Sequence, residues 1–136
     1  NIVGLKDSGG NLGLHMRFIN ETKPGFSVFQ GRDDLFYSSL DLGAVGIVAA
    51  TANVAPDLVV RLYRTFVGGD HKASLEAQMK VARIRFALEL GSFPNVIKEA
   101  MEMVGVKAGP PRAPVAKLSQ EGREKLRAIL KEIGLL

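Results

Sequence analysis

The sequence predicts an α/β fold, the carboxy-terminal part of a TIM (β/α)8 barrel: its last three βα units plus a C-terminal helical extension. Three observations predict it. Short apolar runs alternate with helix-patterned segments three times before Val67, the rhythm of parallel strands joined by helical crossovers. The third run, Ala44-Val45-Gly46-Ile47-Val48-Ala49-Ala50, carries no polar side chain, as a strand covered on both faces requires. No strand pattern is visible after Asp57. Three such strands left as an open sheet would expose two apolar edges, a severe aggregation liability. A whole barrel takes about 250 residues. The 136 residues here therefore divide into the last three units, residues 1–67, and an extension, residues 68–136.

The elements follow in order. Ile2-Val3-Gly4-Leu5 reads as the first strand, ending at Lys6-Asp7-Ser8-Gly9-Gly10. A helix runs from Asn11 to about Thr22, with Leu12, Met16 and Ile19 near one face and Lys23-Pro24-Gly25 as its stop. Phe26-Ser27-Val28-Phe29 is the second strand, closed by Gln30-Gly31-Arg32-Asp33-Asp34. A short helix from Leu35 to Leu42 ends at Gly43, which suits a left-handed cap. After the third strand, Pro56 and Asp57 fit the first turn of a helix reaching Val67, where a missing N–H and a negative charge are both favourable. The extension reads as three helices. His71 to Leu90 carries Leu75, Met79, Ala82, Ile84, Phe86 and Ala87; Pro94 opens the second, which Gly105 closes. Ser119 caps the third, Gln120 to Ile133, whose apolar stripe is Leu126, Ile129, Leu130 and Ile133. Between the last two, Gly109-Pro110-Pro111-Arg112-Ala113-Pro114 is an extended connector.

Composition excludes several functions. Hydrophobic residues are 46%, charged residues 24% and mean hydropathy +0.11, the balance of a soluble globular chain. No run of about 18 apolar residues suggests a membrane span, and the first residues have no secretory pattern. With no cysteine there is no disulfide, thiolate site or cysteine nucleophile, and a cytoplasmic location is expected. His15 and His71 share no ligand spacing and have no nucleophile beside them, so both read as solvated helix-surface residues and no metal is expected. A net charge of +4 and a pI near 9.6 invite a nucleic-acid reading, but the distribution opposes it. Residues 1–60 carry four basic and six acidic side chains, and the fourteen basic ones after that are interleaved with eight acidic ones at helical spacing. No nucleic-acid partner is expected.

Candidate chemistry sits at the strand ends. Alternation puts Ile2, Gly4 and Lys6 on one face of the first strand. A lysine at the carboxyl end of a barrel strand lies where barrel active sites are built, and partial desolvation of an inward amine favours its nucleophilic form. A lysine that turns outward at the strand end fits the same pattern. At the second strand's end Gly31 lets backbone approach a ligand, while Asp33 or Asp34 either binds hydroxyl and amino groups or caps the next helix. Ala49, Ala50, Thr51 and Ala52 leave space at the third strand's end, and Asn53 before Pro56 reads as turn chemistry.

The ordered set Gly4-Leu5-Lys6-Asp7-Ser8, Phe29-Gln30-Gly31-Arg32-Asp33-Asp34, Gly43-Ala44-Val45-Gly46-Ile47 and Thr51-Ala52-Asn53-Val54-Ala55-Pro56 resembles the dihydrodipicolinate synthase / N-acetylneuraminate lyase family. The tail, with Lys98-Glu99-Ala100 and Leu118-Ser119 through Leu136, resembles that family's carboxy-terminal helices. The resemblance implies a class I lyase or aldolase acting on pyruvate or a 2-keto acid and a small aldehyde. Lys6 would form a covalent imine that serves as electron sink, so no metal or organic cofactor is implied. Val48 matches the position whose backbone carbonyl lies near the bound keto acid. Ser8, Gly31, Asp33 and Asp34 match positions that contact the rest of the substrate in the sialic-acid-cleaving branch. A full-length homotetramer is implied as well.

Ala50 stands where the sialic acid lyases carry a serine, which argues against that branch. Thr51-Ala52-Asn53-Val54-Ala55 is closer to the synthase branch and to lysine biosynthesis. Ser92-Phe93-Pro94-Asn95-Val96-Ile97-Lys98 lacks that branch's Asn-Pro-x-Pro pattern, which keeps a 2-keto-3-deoxygluconate-type aldolase as an alternative. The family's proton-shuttling tyrosine and Gly-Thr-Thr-Gly-type carboxylate loop have no counterpart in these residues, so the chain alone is expected to be inactive. A reading of another class is a non-catalytic α/β interaction module.

Overall fold

Three short parallel strands in the order β1-β2-β3 form the sheet of the computed structural model, which describes residues 1–136. β1 is Gly4–Asp7, β2 Ser27–Gln30 and β3 Gly46–Ile47. Gly4 pairs with Ser27 and Asp7 with Gln30, while Phe29 and Gln30 pair with Gly46 and Ile47. Helix α1, Leu12–Glu21, joins β1 to β2, and a 3-10 turn, Asp33–Leu35, leads into α2, Phe36–Asp41. Beyond β3 come a 3-10 turn, Thr51–Asn53, and four helices: α3 Pro56–Val67, α4 His71–Ala87, α5 Asn95–Met103 and α6 Gln120–Glu132. None of these helices is long and apolar enough to cross a membrane.

The helix ends form where the side chains dictate. Asn11 Oδ1 accepts from Leu14 N, Asp70 from Ala73 N and Ser119 Oγ from Gly122 N, so three N-termini have capped donors. Pro56 opens α3, and Gly43, at φ +104°, closes the α2 segment in the left-handed region.

The strands correct the sequence expectation. Ile2 and Phe26 lie outside β1 and β2, and Lys6 and Gln30 lie inside them, so each ladder begins later than the apolar runs suggest. A strand extends only where a neighbour offers backbone groups. Ile2 and Val3 are 73% and 71% exposed, and only Val3 O reaches the ladder, by accepting from Ser27 N. The third strand shrinks from the expected Ala44–Ala50 to two residues, flanked by Val45 N to Val28 O and Val48 N to Gln30 O bonds. Its far edge is unpaired, so the expected burial on both faces fails: Val45 and Val48 are about half exposed.

The core divides in two. Phe36, Leu40, Val59, Leu62, Ala77 and Val81 join α2, α3 and α4, and a larger cluster built on Ile84, Val96, Ala100, Leu126 and Leu130 joins α4, α5 and α6. The apolar face expected of α4 is also corrected. Leu75, Met79 and Phe86 are exposed, whereas Ser74, Ala77 and Gln78 are buried against α3 and the Asp33 segment. Small residues let α4 approach α3, and its polar groups find partners there: Ser74 Oγ donates to Leu62 O at 2.9 Å. α4 is also shorter than the expected His71–Leu90, closing with a 3-10 turn over Leu88–Leu90.

Candidate active site

The carboxyl ends of the three parallel strands converge on one hollow of about 450 Å³. Lys6, Ser8, Gly31, Arg32, Asp33, Val48 and Ala50 line it from the strand side, and Arg85, Leu88, Glu89 and Phe93 from the end of α4 and the segment after it. Five of the six sequence-predicted site residues therefore meet in one place. The sixth, Asp34, stands behind Arg32 and Arg85 instead.

Lys6 is the third residue of β1 and is exposed toward the hollow. The side chain is exposed rather than partly buried as the sequence suggested, because β1 is an edge strand with β2 as its one neighbour. No ion pair within 4.0 Å involves it, although the chain places a carboxylate at the very next position. Gly31 explains how the lysine fits. A Cβ there would overlap Ser8 Oγ and lie 2.8 Å from both Lys6 Cε and Asp7 O. The missing side chain lets the β1 and β2 ends close, with Gly31 N donating to Asp7 O at 2.6 Å.

Asp7 leaves the strand on the other face and is buried. Its Oδ1 accepts from Gly9 N at 2.8 Å, and its Oδ2 lies 2.9 Å from His15 Nδ1. His15 is 0% exposed, which overturns its reading as a solvated helix-surface residue. Only spacing hinted at it: His15 shares a helix face with the half-buried Leu12 and Ile19, although Met16 beside it is exposed. His71 is exposed as expected, with its ring edge-on to Phe66 at 5.1 Å.

Neither Asp33 nor Asp34 caps a helix; Arg32 occupies the N-cap position and makes no capping bond. Asp33 is 2% exposed, and its Oδ1 accepts from Thr51 N at 2.9 Å and Thr51 Oγ1 at 2.6 Å. It thereby ties the end of β2 to the turn after β3. Asp34 accepts a two-pronged contact from Arg32 at 3.0 and 2.8 Å, and Arg85 Nε lies 3.7 Å away. Burial works to raise the Asp34 carboxyl, but the Arg32 hydrogen bonds, its own backbone N–H and the two guanidinium charges together hold it below the usual carboxylate range. The same hydrogen bonds raise Arg32.

Two glutamines, unremarked in the sequence, hold this loop. Gln30 is buried; its Oε1 accepts from Gly31 N and Arg32 N, both at 2.9 Å, and its Nε2 donates to Ser39 Oγ at 2.5 Å. Gln78, from α4, donates to Asp33 O at 2.9 Å and accepts from Tyr37 N at 2.7 Å. No local pattern announces Gln78, whose partners lie on other elements, or the meeting of Gln30 with Ser39 on α2. Asn53 does turn chemistry as expected, with its Nδ2 donating to Ala50 O at 3.0 Å.

The family model described as the dihydrodipicolinate synthetase family matches residues 1–133. A 4-hydroxy-tetrahydrodipicolinate synthase of Methanopyrus kandleri is 38% identical over 135 residues, 99% of this chain and 45% of that protein. An uncharacterized DapA-like lyase of Halobacterium salinarum is 36% identical over 99% of this chain and 44% of its own length. Among solved structures, dihydrodipicolinate synthase DapA-2 of Bacillus anthracis superposes with a TM-score of 0.92 at 29% identity, over 96% of this chain and 45% of that one. YagE, a prophage protein of Escherichia coli K12 solved in complex with pyruvate, gives 0.92 at 28% identity, over 99% and 47%. The chain thus spans a little under half the length of these relatives, consistent with a partial barrel.

Proposed function

Because this chain belongs to the dihydrodipicolinate synthetase family, we propose that its hollow is one side of a class I lyase site that joins pyruvate to a small aldehyde through an imine on Lys6. The observation that carries this is the placement of Lys6. It stands at the carboxyl end of a parallel strand, open to a hollow of small-ligand size, with no carboxylate paired to it and Gly31 leaving room beside its Cε.

In the proposed reaction the Lys6 amine adds to the keto carbon of pyruvate, and loss of water leaves a protonated imine. That cation accepts the electron pair left when the methyl group loses a proton, giving an enamine. The enamine carbon forms the new bond to the aldehyde carbon, whose oxygen takes up a proton. Water then cleaves the imine, freeing the product and the amine. The protonated imine on Lys6 is the electron sink, so this chemistry calls for no metal or organic cofactor. In this reading the Val48 carbonyl meets the keto acid and Ser8 the rest of the substrate, while Asp33 and Asp34 hold the walls through Thr51 and Arg32. The synthase names of several relatives favour condensation over sugar-acid cleavage. Working as a synthase in lysine biosynthesis, in the cytoplasm, and as a tetramer belong to the same proposal. The exposed stripe Leu75, Met79 and Phe86 on α4 is an apolar surface suited to subunit contact. The 136 residues alone lack the carboxylate loop and the tyrosine and turn over no substrate.

Pyruvate and borohydride trapping on the longest form of the protein, read by peptide mass spectrometry, tests the proposal. The expected result is a reduced pyruvyl adduct on Lys6, absent from Lys6→Ala. A folded, full-length protein that gives no adduct refutes it.

A further inference from the structure

We propose that His15 is a positioning residue for Lys6 and acts through Asp7, an inference that rests on the imine chemistry proposed above. Lys6 and Asp7 are consecutive in a strand, so their side chains leave opposite faces, the amine toward the hollow and the carboxylate toward α1. Every acceptor that residue 7 offers is engaged. Asp7 Oδ1 takes Gly9 N at 2.8 Å, Oδ2 faces His15 Nδ1 at 2.9 Å, and the backbone oxygen takes Gly31 N at 2.6 Å. The strand end therefore cannot twist without breaking one of these three bonds, and a twist there would swing Lys6.

The imidazole is equally constrained. It is 0% exposed, and its Nε2 has no hydrogen-bond partner. Since the Asp7 carboxylate accepts and does not donate, Nδ1 carries the proton. Nε2 faces no partner, so the one hydrogen bond of the imidazole is the Nδ1 contact to Asp7. This geometry is complete within the chain, since both partners are buried by its own residues. For stability alone the pair is an uneconomical choice: an apolar pair of similar volume commonly serves as well as a buried polar one. What the polar pair adds is direction. It fixes the Asp7 carboxylate on the helix side of the sheet, away from the amine, and anchors the residue that follows the lysine.

The test uses the longest form of the protein and three variants, His15→Leu, His15→Asn and the double variant Asp7→Leu/His15→Leu. The readouts are the rate of pyruvate-dependent borohydride inactivation, its pyruvate half-saturation and Tm. Removing the donor in His15→Leu is expected to lower the maximal inactivation rate about tenfold while the half-saturation stays within about twofold, as a lost positioning contact does. His15→Asn places an amide N–H near the lost Nδ1–H and restores the rate to within about threefold. The double variant recovers Tm but not the rate, an outcome that a merely structural pair would not produce. The proposal is overturned if His15→Leu reacts at the wild-type rate, or if the double variant regains rate and Tm together. Wild-type protein that forms no adduct at all instead refutes the imine reading itself.

Discussion

Replacing Gly31 with alanine adds one methyl group at the most crowded point beside the lysine. The position has an ordinary backbone, outside the positive-φ set, so the whole cost is contact. The new Cβ would overlap Ser8 Oγ, which can rotate away. It would also stand 2.8 Å from Asp7 O, a backbone atom, and 2.8 Å from Lys6 Cε, where ordinary contact begins at 3.4 Å. The β1 and β2 ends must therefore part by about 0.6 Å, or Lys6 must leave its rotamer. Overpacking of this kind costs about 1–3 kcal/mol, a Tm loss of about 3–10 °C. Misplacing a reacting group by about 1 Å costs on the order of a hundredfold, so a shift near half that predicts about a tenfold slower imine formation. Borohydride inactivation by pyruvate, followed by activity and by the mass of the Lys6 peptide, reads this directly. Wild-type inactivation with an unchanged Tm would show that the strand ends have slack and that Gly31 is not what seats the lysine.

Further outcomes follow from the same contacts. Thr51→Val deletes the hydroxyl that donates to Asp33 Oδ1 but keeps the backbone donor; urea unfolding should show a loss of about 1–2 kcal/mol. Leu126 is 0% exposed in the larger core cluster, so Leu126→Ala should cost about 2–5 kcal/mol and raise hydrogen exchange along α6 before the sheet. Asp34 has a folded pKa held below its unfolded one, so its contribution is present above the unfolded carboxylate pKa and lost as pH falls through the folded value. Urea midpoints compared at about pH 6 and pH 3 should fall less in Asp34→Asn than in wild type, because the variant has no such carboxylate to protonate.

The element order and most helix ends, the close of α4 excepted, were legible in the chain itself. Both depend on neighbours in the chain: Asn11, Asp70 and Ser119 cap donors three residues ahead, and Pro56 and Gly43 act through their own backbones. Three strand ends bearing Lys6, Gly31 and Val48 were legible for the same reason, since a period of two and a run of apolar residues are local signals. What those ends do to one another was settled by packing. It shortened the strands to the stretches that find a partner, and it turned α4 so that Gln78 reaches the Asp33 backbone 45 positions away. It spent Asp33 on Thr51 and buried His15 against Asp7. These are contacts between residues remote in sequence, where burial makes an unpaired polar group costly and so selects its partner by position in space. A polar side chain's type shows that it needs a partner, but only the packed fold settles which one it meets.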